Sequence, residues 1–214
     1  MYVNQAFSID DNAAIAMADR VGFGVVVAVP EHTTSRFPIG VHVPFVIKHR
    51  DDGARTIEFH VARVNPIADC ADGAIDWLLI VQGPNAYISA DWYENVQQVP
   101  TWLYEAVHIN GPCRQMSARD LAVHSDEVSA KFEERLLPKP PWTSDKMDPR
   151  RRDAMRKGII GLTMRVRKVT GIRKLNQTKS EAEQRLVVAA LNAQGGEGPN
   201  SIAAAMTDNL AQKT

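Results

Sequence analysis

The sequence holds little that would fix a chemical class by itself. Its 214 residues contain two cysteines, Cys70 and Cys113, too few for a disulfide framework and at no spacing that suits a metal. That scarcity predicts a reducing compartment. Formal net charge is zero, so the chain as a whole sets up no general field for nucleic acid. No apolar run approaches the length that spans a bilayer, so no membrane partner is expected. The opening MYVNQAFSIDD has neither a basic stretch nor an apolar one, so no secretory signal is expected and a cytoplasmic protein is the default. GxSxG, P-loop, GxGxxG and HExxH patterns are all missing. The six histidines, His32, His42, His49, His60, His108 and His124, sit at no metal-ligand spacing. A convergent set of His42, His60 and His108 on neighbouring strands is geometrically possible, and nothing in the sequence supports it.

Aromatic residues are only 7% of the chain, yet five of them crowd the stretch from Gly83 to Gly111: Tyr87, Trp92, Tyr93, Trp102 and Tyr104. After Pro100 the residues alternate. Trp102, Tyr104, Ala106, His108 and Asn110 would share one face of a strand, with Leu103, Val107 and Ile109 on the other. A face bearing Trp, Tyr and His reads either as a polar-edged core or as the wall of a pocket for a flat ligand.

The rest of the chain supplies the scaffold. Asp10 or Asp11 caps a predicted helix to about Arg20, which Gly22 ends. Predicted strands follow at Phe23 to Val29, Ile39 to Lys48, Thr56 to Val64, Trp77 to Val81 and Thr101 to Asn110, with His32 to Arg36 as a loop. Asp51-Asp52-Gly53 reads as a hairpin turn, and Gly83-Pro84 as a strand end. Ser117 caps a polar helix to about Leu136. Met147 to Lys157 reads as a basic helix, and Gly158 to Val169 as a last strand turned by Thr170-Gly171. Ser180 and Glu183 form a capping box for a helix through Ala193, while the tail after Gly198 reads as a helix or a loose terminus. Antiparallel strands followed by peripheral helices predict a mainly β, α+β architecture.

Three stretches could carry binding chemistry. His60-Val-Ala-Arg63-Val-Asn65-Pro66 puts an arginine at a strand end, where its planar donors can fork onto a phosphate or pair with a surface carboxylate. The loop from Gly171 to Lys179 offers Arg173, Lys174, Gln177, Thr178 and Lys179 to an anion, or simply to solvent. Between residues 146 and 185 the chain has thirteen cationic residues against the four acids Asp148, Asp153, Glu181 and Glu183. Such a region suits phosphates, whether of a cofactor or of DNA, or forms a solvated face paired with nearby acids.

Four blocks, in order over nearly the whole chain, resemble the PaiB-type family of FMN-binding negative transcriptional regulators. They are Met1-Tyr2 with Phe7; HVARVNP at 60–66; GPNAYISADWY at 83–93 with VPTWLYEAVHING at 99–111; and IIGLTMRVRKVTGIRKLNQ at 159–177. The resemblance implies an antiparallel split β-barrel of the FMN-binding type. It implies a single domain over 1–214 with a helical C-terminal extension from about 180, and a homodimer holding FMN in the groove between subunits. Carried onto this chain, Arg63, Ser89 and Lys174 would meet the phosphate, and His60, Tyr87, Trp102 and Gln177 the ring or ribityl chain. The cationic region 146–185 would be the part that meets DNA.

The chain departs from the family at three places. Gly40-Val41-His42-Val43-Pro44 lacks the threonine before the histidine, Trp102-Leu103-Tyr104 lacks the central amide, and Lys174-Leu175-Asn176-Gln177-Thr178 replaces Lys-Leu-Ser-Gln-Asn. The expected function is a negative transcriptional regulator that binds FMN. The alternatives are a flavin-dependent oxidoreductase acting on a small molecule, or a member of the family that has lost flavin.

Overall fold

The computed structural model describes residues 1–30 and 37–212. The expected loop from His32 to Arg36 lies outside the described residues. In chain order the elements are β1 (Ser8–Ile9), α1 (Asp11–Val21), β2 (Phe23–Ala28), β3 (Ile39–His49), β4 (Arg55–Ala62), β5 (Asp72–Ile88) and β6 (Thr101–Gln115). They continue with α2 (Ala118–Glu133), α3 (Pro149–Arg156), β7 (Ile159–Arg165), β8 (Lys168–Lys174), α4 (Glu181–Gln194) and α5 (Glu197–Ala211). The chain divides into two compact units. The first holds Met1–Met17, Gln82–Val107 and Thr170–Thr214; the second holds Ala18–Val81 and His108–Val169.

The second unit is a closed barrel of six antiparallel strands in the order β5-β2-β3-β4-β7-β6, with β6 beside β5 to close it. Register follows the apolar alternation: Phe45 pairs with Phe59 across β3 and β4, Val26 with Leu79 across β2 and β5, and Cys113 with Met164 across β6 and β7. Phe45, Phe59, Trp77, Leu79, Leu162 and Met164 are fully buried in its core. The α2 helix packs on β3, β4 and β7. It does so because Leu121, His124 and Val128, spaced three and four apart, form its buried stripe. Its N-cap is Ser117, as the sequence predicts, accepting the Asp120 amide.

In the first unit the strand order is β1-β8-β6-β5. The α4 and α5 helices pack together and bury Val187, Leu191, Ile202 and Met206 with Ile88 and Leu103. The Ser180–Glu183 capping box opens α4, and the tail beyond Gly198 is helix.

Two expected breaks are not breaks, and one strand runs past its expected end. Gly83-Pro84 lies inside β5, which starts at Asp72 and runs to Ile88. Gly111-Pro112 lies inside β6, which continues to Gln115. Thr170-Gly171 lies inside β8, and the single strand expected over Gly158 to Val169 is in fact β7 and the start of β8. The reason is close packing rather than turning. A Cβ on Gly111 would lie 1.7 Å from the Arg165 carbonyl oxygen. On Gly171 it would lie 2.5 Å from Ile9 Cγ1, and on Gly83 2.5 Å from Met17 Cε. Glycine marks where other parts of the chain come closest.

Candidate functional site

The alternation of β6 is realised. Leu103, Glu105, Val107 and Ile109 are buried, while Trp102 is exposed and Tyr104, Ala106 and His108 are half-buried. In the first unit Trp102 meets Tyr87 of β5 edge-to-face, ring centroids 6.1 Å apart and planes at 70°. Both rings remain about half in solvent, 53% for Trp102 and 47% for Tyr87. One residue along β6, the Thr101 hydroxyl accepts a 2.6 Å hydrogen bond from Lys174 Nζ. Two ammonium hydrogens of Lys174 are left for another acceptor. Ser89 caps the short turn Ala90–Trp92, its Oγ accepting the Asp91 amide at 3.3 Å, so its own hydroxyl proton is free to be donated.

Gln177 is engaged differently. Its Oε1 accepts the Leu175 amide at 2.7 Å and its Nε2 donates to the Arg173 carbonyl at 2.5 Å. The loop it braces turns at Asn176, whose φ of 61° is the left-handed region and whose amide bonds the Tyr93 hydroxyl. Lys179 sits over the Tyr93 ring and donates to Gln98. The polar groups of this loop mostly hold its own shape. Lys174, the last residue of β8, is held instead by the Thr101 hydroxyl.

In the second unit His60 on β4 faces His124 on α2, with Nδ1 of the first 3.2 Å from Nε2 of the second. Burial lowers the pKa of both. That of His124 falls to about 4, with the neighbouring His60 and Lys48 adding to the effect. Beside them Lys48 bridges Glu58 at 3.1 Å and Glu127 at 2.5 Å, and Arg50 also binds Glu58. The convergence of His42, His60 and His108 that the strands would allow does not form: His60 turns to His124, and His42 stacks on Phe23. His124 was the residue that sequence reasoning passed over. Its position on the apolar stripe of α2 was the available signal. Arg63 donates from Nε to the Lys157 carbonyl at 2.6 Å and from Nη2 to that of Ile159 at 3.1 Å, which fixes the chain entering β7 and leaves Nη1.

Five arginines of the cationic region pair with carboxylates within their own units. Arg156 meets Asp126, Arg165 meets Asp52, and Arg167 meets Asp76 in the second unit. Arg173 binds buried Glu105, and Arg185 binds Glu181, in the first. Among the described residues, Arg150 and Arg151 of α3 have no carboxylate partner. No group of three metal-binding side chains occurs among them, and no helix there is long and apolar enough to cross a membrane.

A closed six-stranded antiparallel barrel flanked by helices is the FMN-binding split-barrel fold. The chain superposes on the FAD and heme binding protein from Mycobacterium smegmatis with a TM-score of 0.56 at 13% identity, covering 90% of this chain and 82% of that one. On the flavocytochrome Anf3 from Azotobacter vinelandii the TM-score is 0.55 at 12% identity, covering 86% and 78%. The family described as "Putative FMN-binding domain" matches residues 1–168. The chain is 32% identical over 213 residues, 98% of both chains, to "Protease synthase and sporulation protein PAI 2" from Bacillus subtilis (strain 168). It belongs to this FMN-binding split-barrel family and is closely related to the PaiB-type regulators.

The donor set of the first unit fits a flavin mononucleotide. An isoalloxazine asks for a flat apolar wall with a few polar groups, and its phosphate for charge-assisted donors. The exposed pair Tyr87 and Trp102 is of the first kind, and Lys174 and the Ser89 hydroxyl are residue types of the second. Leu103, where the family has an amide, is fully buried on the opposite face of β6 from Trp102. That departure belongs to the core and leaves the exposed face intact.

Proposed function

We propose that the chain is an FMN-binding transcriptional regulator of the PaiB type, working as a homodimer with the flavin at the subunit interface. The observation that carries the reading is the half-exposed Tyr87–Trp102 pair in the first unit. Two large rings left half in water form an apolar surface that a flavin and a partner subunit would cover. Tyr87 and Trp102 would pack the ring, Lys174 and Ser89 would hold the phosphate, and bound FMN would supply redox chemistry or a ligand signal. The end-to-end similarity to the Bacillus subtilis protein supports a shared regulatory role. Arg150 and Arg151, cations without carboxylate partners on α3, are the candidates for DNA phosphates.

The visible spectrum of the purified protein, recorded again after addition of FMN and desalting, tests the reading. A flavin band is expected in the wild type, with loss of retention in Trp102→Ala and Lys174→Ala. A wild-type protein that retains no FMN overturns it. Regulation through α3 predicts salt-sensitive DNA binding, with the slope against log salt reduced by roughly one per residue in Arg150→Ala and Arg151→Ala. An unchanged slope removes α3 from the interface.

A further inference from the structure

A cavity of about 280 Å³ lies in the second unit, lined by residues of α2, α3, the segment between them, and His60 of β4. Its walls are of two kinds. Trp142, Met147, Met155 and Ile159 are apolar; Arg152 and Arg156 of α3 bring guanidinium groups.

Arg152 is the unusual member. Its Nε is buried without a hydrogen-bond partner. Among the described residues its one side-chain hydrogen bond runs from Nη1 to the Ser144 carbonyl at 3.3 Å, and no carboxylate pairs with it. A desolvated cationic donor without a partner is costly, and an anion is what relieves it. Arg156, by contrast, is already matched by Asp126 and Asp153. The charges lining the cavity are Arg152 and Arg156 against Asp126, two positive and one negative, a net of one positive. Burial keeps His60 neutral near pH 7, and its Nδ1 is taken by His124, so its other nitrogen remains for a ligand.

The geometry points to a binding site for a small monocarboxylate with an apolar body, its carboxylate on Arg152 and its body against Trp142, Met147 and Met155. The volume is at the lower limit of the roughly 300–1,000 Å³ usual for ligand pockets, so the body is one ring or a short chain. A thioether-rich wall adapts to either shape. The site uses none of Tyr87, Ser89, Trp102 or Lys174 and does not rest on the flavin reading. Because α3 forms one wall, occupancy holds that helix in place.

Calorimetric titration of the whole protein at pH 7 with sodium benzoate, and in parallel with benzyl alcohol, tests the site. Benzoate should saturate and bind at least about tenfold more tightly than the uncharged analogue, the worth of one charge-assisted hydrogen bond. Arg152→Gln should bring benzoate down to the level of benzyl alcohol. Met155→Trp, at an exposed rim position that tolerates bulk, should fill the space and weaken both. Equal binding of the two compounds overturns the assignment, as does failure of benzoate to saturate below about 10 mM. If Arg152→Gln does not fold, Met155→Trp decides: unchanged benzoate affinity in that variant also overturns it.

Discussion

His60 and His124 face each other edge to ring in the second unit, Nδ1 to Nε2 at 3.2 Å, and Nδ1 of His124 is buried with no partner. Two imidazoles this close cannot both be charged. The pair is therefore neutral and joined by one hydrogen bond, and it has a consequence in acid. The pKa of His124 is depressed from 6.5 to about 4, by burial first and then by His60 and Lys48. Between these values the unfolded chain binds a proton that the folded chain does not, so stability rises with pH. The contribution is complete above about pH 6.5 and is lost as pH falls toward 4. Urea unfolding at pH 7 and at pH 4.5 should show an acid loss on the order of 3 kcal/mol in the wild type. That loss should shrink in His124→Gln, which keeps a hydrogen-bonding group without titrating in this range. An equal acid loss in both proteins would place its origin elsewhere.

The glycines of the strands should differ sharply in what they tolerate. Gly111→Ala puts a methyl against the Arg165 carbonyl, where a Cβ would be 1.7 Å away and the obstacle is backbone. A loss of more than about 3 kcal/mol, or failure to accumulate as folded protein, is expected. Gly40→Ala meets only Val25 Cγ1 at 3.6 Å and should change stability by about 0.5 kcal/mol or less. Thermal unfolding of the two variants side by side checks the contrast.

Removing the Arg173 side chain should be expensive because of what it leaves behind. Glu105 is 3% exposed, and Arg173 Nε donates to its Oε1 at 2.6 Å. Arg173→Ala removes a charge-assisted hydrogen bond from a buried carboxylate and should cost about 2 kcal/mol, whereas Arg173→Ala combined with Glu105→Gln should recover part of that loss. Denaturant midpoints for the single and double variants measure the coupling, and strict additivity would contradict it.

The α4 helix depends on its first turn. Ser180 accepts the Glu183 amide, and Glu183 in return accepts the Ser180 amide. Ser180→Ala should lower stability by about 1 kcal/mol. Hydrogen exchange should localise the change to the start of α4. Protection lost evenly over the molecule would mean that α4 does not open by itself.

Patterns of nearest neighbours were legible in the sequence, and meetings of distant ones were not. The period-two alternation from Trp102 to Asn110, the Ser117 cap and the Ser180 capping box are local physics, and each is realised. Gly83 and Gly171 misled because a glycine that opens a turn and one that admits a distant neighbour look alike in one dimension, and Gly111 lies where β6 runs past its expected end. Met17, Arg165 and Ile9 explain them, and none is adjacent in sequence. The same limit hid the candidate sites. Nothing near His60 indicates His124, and nothing near Arg173 indicates Glu105. Which acids would meet the cationic region was hidden because Asp52, Asp76 and Asp126, which pair with three of its arginines, lie well upstream.

That pairing bears on how partners arrive. A guanidinium beside a carboxylate presents a dipole to the surroundings, and its field fades faster than that of a lone charge. Physiological salt further confines surface fields to about 8 Å. Molecules reaching these paired arginines therefore collide by unbiased diffusion, and their encounter rates there should hardly respond to ionic strength. The exposed turn of α3 holds Arg150 and Arg151 without carboxylate partners, so salt should slow the capture of a polyanion there.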